Sequence, residues 1–483
     1  MTAPRPLSRP ALEADGLLAP PAPVRIVHLG LGAFHRAHQA WYTARADVAG
    51  EWGIAAFTGR DATQAEILGA QDGLYTLIER GPDGDVVEVV PSIVETHPGA
   101  DLTRLRELLV DPRTAIVTLT VTEAGYRLRP GGTIDLQDAA IAADLHALRA
   151  AVPAGIDAAL VAARPTAAPT RLLAGLIARH RAGGAPIAVV SCDNLPDNGR
   201  IVARAMRALA AELPATALHG FGEWMAASVS FVSTSVDRIT PRSNGEAVDA
   251  ARGAGWIDAA PVVTEPFHDW VLAGEFPAGR PPWELAGARF VADIDPWERR
   301  KLWLLNGAHT ILAAAGLRRG HTTVDEAISD PECRELVEAF WAEAVALLPE
   351  GIEHVIYRRD LEERFRNPRI RHELAQIAEG MDLKVSVRIA AIAEERRRRG
   401  WSASGSAAAL AEWIEWTPEH RAAVAGAEHE GTRVVRAMAR ASEALAADSA
   451  FLDDVRAAHS TLTRSLPLAR STHAQDTPEE GLS

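Results

Sequence analysis

Residues 297–316, WERRKLWLLNGAHTILAAAG, set a few polar side chains into a run of leucine, isoleucine and alanine. On a helix Asn306 and His309 are i, i+3 neighbours. Lys301 lies two turns before His309 with an angular offset of ~80°, a gap its long stem can cover. Glu298 is three residues before Lys301, within reach to exchange a proton directly or through water. Leu302, Leu305, Ile311 and Leu312 supply packing, which makes the polar quartet an island on a buried helix. The alternative is an exposed polar face carrying a Glu-Arg-Arg-Lys cluster. Asparagine and histidine suit that role poorly in an Ala/Arg/Glu-rich chain with only five asparagines.

The lysine count sharpens the point. Of 50 basic residues only Lys301 and Lys384 are lysines. Arginine is effectively always protonated, whereas a buried lysine can lose its proton and act as a base. A buried lysine of that kind is a candidate general acid or base.

Other segments carry weaker signals. VRIVHLGLGAFHRAH, 24–38, delivers an apolar strand into Gly30 and Gly32, as a dinucleotide fingerprint does, but His35 stands where the third small residue belongs. SCDNLPDNG, 191–199, follows the apolar run PIAVV and so ends a strand, where open α/β sheets bind ligands. Asn194 can offer an amide N–H there; the plainer alternative is an Asx turn built from Asp193, Asn194 and Asn198. TLTVTEAGY, 118–126, is a similar strand end carrying Thr122 and Glu123. The second strand, WGIAAFTGRD, ends near Arg60 and Asp61, an arginine that suits a 2′-phosphate beside an acid that suits ribose hydroxyls.

The elements that must position these residues form two textures. Apolar runs 24–29, 53–58, 115–121 and 186–191 have strand length, and 136–151 and 199–212 have helical periodicity, which argues a largely parallel α/β sheet. After about Trp283, stretches 296–316, 331–348, 371–380, 385–399, 406–415 and 431–447 read as successive helices. The expected organisation is a flexible lead-in over 1–22, a dinucleotide-binding domain over 23–285, a helical domain over 286–465 and a polar tail over 466–483. A length of 483 residues with 47% hydrophobic content suits an enzyme of two or three domains. A net charge of −14 disfavours a nucleic-acid binder, and no apolar run reaches membrane-span length. Two distant cysteines, Cys192 and Cys333, give neither a disulfide framework nor a zinc site and fit the cytoplasm.

Taken together, G-x-G-A-F-H-R-A-H, T-V-T-E-x-G-Y, S-C-D-N-L-x-x-N-G, V-D-R-I-T-P and K-L-x-x-L-N-x-x-H resemble the polyol-specific long-chain dehydrogenase/reductase family, from about residue 24 to at least 390. Its own turn is G-x-G-x-F-x-R-x-H, so His35 is normal for it. The resemblance implies an N-terminal Rossmann-type domain, a mostly α-helical C-terminal domain and a site between them. It implies Lys301 as general base, Asn194 and Asn306 as amides holding the developing alkoxide, His309 as a substrate-binding histidine and Glu298 as a proton relay. Lys384, Asp237 and Gln376 fall in the implied substrate-binding group. Gly30, Gly32, Phe34, His35, Arg36, Arg60, Asp61, Thr122 and Glu123 fall in the cofactor-binding group. The implied cofactor is NAD, with NADP open, and no metal. The implied substrate is a small polyol and its ketose or a ketouronate, acted on by a monomer or small homo-oligomer.

Three segments depart from the family. Trp303 replaces the arginine of K-L-R-x-L-N, the usual D-G-S-x-K reads Gly380-Met381-Asp382-Leu383-Lys384, and Gln376 stands where several mannitol-oxidising members have arginine and uronate-reducing relatives often have glutamine. Loss of that cation favours a neutral polyol on electrostatic grounds, which places mannitol and fructose narrowly ahead of fructuronate. Arg371 and His372 are further candidates near the substrate. Two readings from other classes compete: a catalytically silent nucleotide sensor and an S-adenosylmethionine-dependent methyltransferase. Neither gives Lys301, Asn306 and His309 a role.

Overall fold

A computed structural model describes residues 3–151, 162–216, 218–417 and 430–465. The chain divides into two compact units, Met1–Glu298 and Arg299–Ser483. The anticipated 466–483 tail lies outside the described residues.

The first unit is built on eight strands: β1 Val24–Leu29, β2 Gly53–Phe57, β3 Ile93–His97, β4 Ile116–Leu119, β5 Ile187–Ser191, β6 Val229–Asp237, β7 Asp269–Ala273 and β8 Arg289–Val291. Their spatial order is 3-2-1-4-5-6-7-8. Neighbours run parallel except β6 and β7. Parallel strands buried on both faces must be apolar at successive positions, which is why β1, β2, β4 and β5 read as apolar runs while β3, IVETH, does not. Val27 and Leu29 enter one core with Val117 and Leu119, while Ile26 enters the opposite core with Ile54 and Ile116. The strand order reverses between β1 and β4, where a crevice at the carboxyl ends is expected of this topology.

The sequence reading missed several strands. Tyr75–Gly81 and Gly84–Val90 form an antiparallel hairpin flanked in parallel by Val262–Thr264. Polar and glycine residues in the hairpin hide its alternation, and β6 to β8 fell in stretches with no clean apolar run.

The expected flexible lead-in is a correction. Arg5–Pro6 pairs with Trp256–Ile257, and Leu7 and Leu12 are buried with Leu74. Arg9 donates from its backbone N–H to the Asp72 carboxylate at 3.0 Å and from its guanidinium to the Ile93 carbonyl at 2.8 Å. A Pro/Ala-rich segment lacks helical or strand periodicity, yet two buried leucines and one multiply bonded arginine suffice to fasten it.

The second unit is helical. Gly307–Arg319 is buried along most of its length, with Ala308, Ile311, Leu312 and Ala313 to Ala315 inside. It packs against Val324–Ser329, Pro331–Val345, Leu374–Ala378 and Ser404–Trp416. Small residues permit that density. A Cβ on Gly307 would lie 2.6 Å from the Phe340 ring, and one on Gly316 would lie 2.8 Å from Ala327 and Leu374 side chains. Glu412, fully buried on Ser404–Trp416, receives the guanidinium groups of Arg318 and Arg319 and so cross-links the two helices.

Candidate active site

In the sheet unit, β1 delivers the chain into Gly30, whose φ of +118° is open to glycine but not to ordinary L residues. A Cβ there would sit 2.3 Å from the Thr120 carbonyl oxygen at the end of β4. Gly32 leads into the short helix Ala33–Ala37. Phe34 is half-buried and stacks on His38 at 5.1 Å. Arg36 is buried and donates to the Ala260 carbonyl at 2.5 Å, beneath the turn rather than out of it. His35 is fully buried as well, its ring stacked on His28 of β1 at 3.3 Å between centroids.

The loops after the neighbouring strands divide scaffolding from presentation. Beyond β2, Arg60 and Asp61 are exposed. The Thr63 backbone N–H and hydroxyl donate to Asp61 at 3.0 and 2.7 Å and hold that carboxyl below its ordinary value. Beyond β4, Thr122 and Glu123 are exposed around the short turn Glu123–Tyr126. The Tyr126 hydroxyl donates to the Asp193 carboxylate at 2.5 Å. Burial pushes that carboxyl up to about 6, against hydrogen bonds that favour ionisation.

Asp193 also accepts the Leu195 N–H at 3.2 Å, forming the Asx turn. Asn198, fully buried, donates to the Asp193 and Thr234 carbonyls at 3.1 and 3.0 Å, fixing the loop to β6. Asp193 and Asn198 thus build the turn of the plainer reading, and Asn194 is exposed at the carboxyl end of β5. One carboxylate oxygen of half-buried Glu298 accepts the Asp197 N–H of the same loop at 2.9 Å. Asp237 is buried at the end of β6, opposite Asp269 of β7.

In the helical unit the polar segment departs from the expected continuous α-helix. Lys301–Asn306 is a π-helical turn followed by the α-helix Gly307–Arg319. Its hydrogen bonds span five residues rather than four, so the ~80° offset from α-helical spacing does not relate Lys301 to His309. The Leu304 carbonyl in the turn accepts the buried Trp341 indole N–H at 2.8 Å. Lys301 and Asn306 are half-buried. His309 is only 8% exposed, and its Nε2 has no hydrogen-bond partner among the described residues. Burial, then His372, Arg364, Arg388 and Lys384, hold this imidazole well below its ordinary value, so it is neutral. His372 meets it edge-on at 4.8 Å.

Lys384 is half-buried and donates to the Ile377 carbonyl at 2.8 Å; burial, then Arg388, lower its pKa. Gln376 is exposed on Leu374–Ala378. Arg371 is exposed and bonds Glu373 at 2.5 Å.

The residue that sequence reasoning missed is Arg388, on a second π-helical turn, Ser386–Ala390. Its guanidinium donates to the Asn306 carbonyl at 3.3 Å and to the Thr310 hydroxyl at 3.1 Å, and burial lowers it to about 10. Its i, i+4 spacing from Lys384 was the available signal. Arginines are too frequent in this chain for that signal to stand out.

Among the described residues no group of three His, Cys, Asp or Glu side chains is arranged to hold a metal ion, and no helix is long and apolar enough to cross a membrane.

Comparison with known proteins matches both units. The family profile described as the mannitol dehydrogenase Rossmann domain matches residues 24–285, and the mannitol dehydrogenase C-terminal domain matches 293–464. A mannitol 2-dehydrogenase of Cereibacter sphaeroides is 38% identical over 383 residues, covering 76% of this chain and 74% of that protein. A D-mannonate oxidoreductase of Escherichia coli (strain K12) is 34% identical over 425 residues, covering 85% and 82%. Among solved structures, the Pseudomonas fluorescens mannitol 2-dehydrogenase ternary complex with NAD and D-mannitol is similar with a TM-score of 0.71 and 28% identity, covering 95% of this chain and 97% of that one.

Proposed function

The chain belongs to the mannitol dehydrogenase family, and from that premise we propose that it is a metal-independent, NAD(H)-dependent oxidoreductase interconverting a sugar alcohol with its 2-keto sugar, of the mannitol and fructose type. The observation that carries the reading is the buried, neutral His309 with its unpartnered Nε2, one helical turn from Asn306 and on the segment that also bears Lys301. A buried polar atom without a partner costs free energy unless a ligand satisfies it, and a sugar hydroxyl can donate to or accept from a neutral imidazole.

The residues at the β1 turn fit a dinucleotide. Gly30 admits no Cβ, while a Cβ on Gly32 would meet nothing nearer than the Gly30 carbonyl at 3.6 Å, so bare backbone is available to a pyrophosphate. Phe34, Thr122 and Glu123 flank that turn, and Arg60 and Asp61 are the groups for the adenosine ribose. Held there, NAD would supply the acceptor for the hydride that leaves C2 of the polyol.

Lys301 takes the proton of the C2 hydroxyl. The amides of Asn194 and Asn306 donate to the oxygen as it gains charge, preorganised so that little rearrangement accompanies the reaction. His309 binds a neighbouring hydroxyl in its neutral form. Glu298, half-buried and anchored by the Asp197 N–H, passes the proton from Lys301 towards solvent. Lys384, with Asp237 and Gln376, orients the distal hydroxyls.

One observation favours a second substrate within the same chemistry. Lys384, Arg388, Arg364 and His372 all act on His309 as like charges, Glu379 offsets part of this at Lys384, and burial lowers Arg388. A terminal carboxylate would relieve this crowding, which suits a ketouronate such as fructuronate. The deciding measurement is kcat/KM for fructose against fructuronate with NADH. Preference for fructose supports the primary reading; a preference of about tenfold or more for fructuronate, ~1.4 kcal/mol in transition-state binding, replaces it. No NADH oxidation with any ketose or ketouronate would sink both.

A further inference from the structure

The dinucleotide fingerprint has a small third residue so that helix and strand can pack closely. Here the helix Ala33–Ala37 carries His35 at that position, and β1 answers it with His28, an imidazole between the buried Val27 and Leu29. Both side chains are fully buried, and their rings stack at 3.3 Å with an interplanar angle of 8°. Flat rings at van der Waals distance fill the space between strand and helix that small residues elsewhere close by direct approach.

The His28 ring is also wired to the turn. The Thr120 hydroxyl donates its single proton to the Gly30 carbonyl at 2.8 Å. Its 3.0 Å contact with His28 Nε2 must then have the imidazole N–H as donor. That leaves Nδ1 as the acceptor for the Thr118 hydroxyl at 2.8 Å. The result is a directed chain from Thr118 through His28 and Thr120 to the carbonyl of the one residue in the turn with φ of +118°. It requires an uncharged His28.

The surroundings keep the pair uncharged. The groups acting on His35 are His28, Gln39, Arg36 and His38, and those on His28 are the threonine hydroxyls and the Gly30 backbone. No acid is among them. Burial lowers both imidazoles, His28 to about 3.

We propose that the stacked His28–His35 pair and Thr120 are positioning residues that set the Gly30 peptide for the dinucleotide pyrophosphate. This rests on the NAD-binding reading above. The histidine that breaks the fingerprint thus does its work from beneath the turn, without touching the cofactor.

The test measures NADH affinity by tryptophan-to-NADH energy transfer, beside thermal unfolding of the protein without NADH. Thr120→Val removes the hydroxyl at nearly constant volume. It leaves the buried His28 N–H without its acceptor and so should lower the unfolding temperature somewhat, but the protein stays folded, the NADH Kd is expected to rise about tenfold and the KM for sugar at saturating NADH stays near wild type. His35→Ala should raise the Kd by at least as much. His35→Phe, which keeps a stacking ring, should recover most of the affinity. Combining Thr120→Val with His28→Ala should cost less than the product of the single effects, because both act through one hydrogen-bond chain. A Thr120→Val protein that binds NADH within about threefold of wild type overturns the inference, as do fully multiplicative effects. Wild-type protein that fails to bind NADH overturns the dinucleotide reading and this inference with it.

Discussion

The sheet unit and the helical unit present polar groups by opposite means. In the sheet unit they stand where regular structure stops: Gly30 after β1, Thr122 after β4, Asn194 after β5. Each loop spends some polar residues on its own architecture, as Asp193 and Asn198 do, and leaves others exposed. In the helical unit Lys301, Asn306, Lys384 and Arg388 lie on or next to π-helical turns inside continuing helices. A parallel sheet supplies strand ends in register along one edge, so function can sit there without disturbing the sheet. A buried helix has no such edge. Widening one turn re-aims side chains, and the carbonyls in the altered turn take donors from elsewhere, as Leu304 does from Trp341 and Asn306 from Arg388.

On the proposed reading the helical unit carries the proton transfer, and Lys301→Arg should strike it hardest. Arginine keeps charge and bulk but cannot deprotonate, so polyol oxidation is expected to fall by about 10²–10⁴-fold with NADH affinity nearly unchanged. Retention of more than about a tenth of wild-type kcat at high pH, a loss under ~1.4 kcal/mol, removes Lys301 from that role.

Next in size are the two amides, one from each unit. Asn194→Ala and Asn306→Ala should each lower kcat by about 10²–10³-fold, and the double variant should lose less than the product. Full additivity would mean that the strand-end amide and the π-turn amide serve different atoms.

The loop after β5 can be probed separately through stability. Asp193, pushed up to about 6 from its ordinary 3.8, keeps its proton in the folded chain where the unfolded chain has lost it. Its contribution is full below 3.8 and declines as pH rises through about 6. Asp193→Asn cannot ionise and should gain on wild type by on the order of 1–3 kcal/mol as pH rises across that window. Urea unfolding at several pH values reads this directly; a constant difference between the two proteins would mean that Asp193 ionises normally.

The smallest effect is expected from Lys384→Met. It should raise KM for sugar about tenfold, ~1.4 kcal/mol, with kcat little changed, because the contact proposed for it is remote from the reacting carbon. A fall in kcat without a change in KM would move Lys384 into the chemistry.

How far these features were legible depends on the kind of signal each one left. β1, β2, β4 and β5 stand out because strands covered on both faces must be apolar throughout, and Lys301 because the chain has only one other lysine. The hairpin Tyr75–Val90 and the docked N-terminal segment left no such mark, since pairing and a few anchoring contacts hold them. The π turns were invisible for a different reason. Their residues, KLWLLN and SVRIA, are acceptable in an α-helix, and only the packing around Trp341 and Arg388 distinguishes the two forms.

The amino-acid order alone determined the two-part organisation, the glycine turn and the identities of the candidate base, amides and histidine, because periodicity, backbone freedom and side-chain chemistry are local properties. Tertiary structure decided their surroundings. It buried His35 on His28, divided Asp193 and Asn198 from Asn194, widened the helix at Lys301 and brought Arg388 to Asn306. Burial, stacking and charge crowding arise between residues distant in sequence, and those contacts set which groups are neutral, which are anchored and which remain available to a substrate.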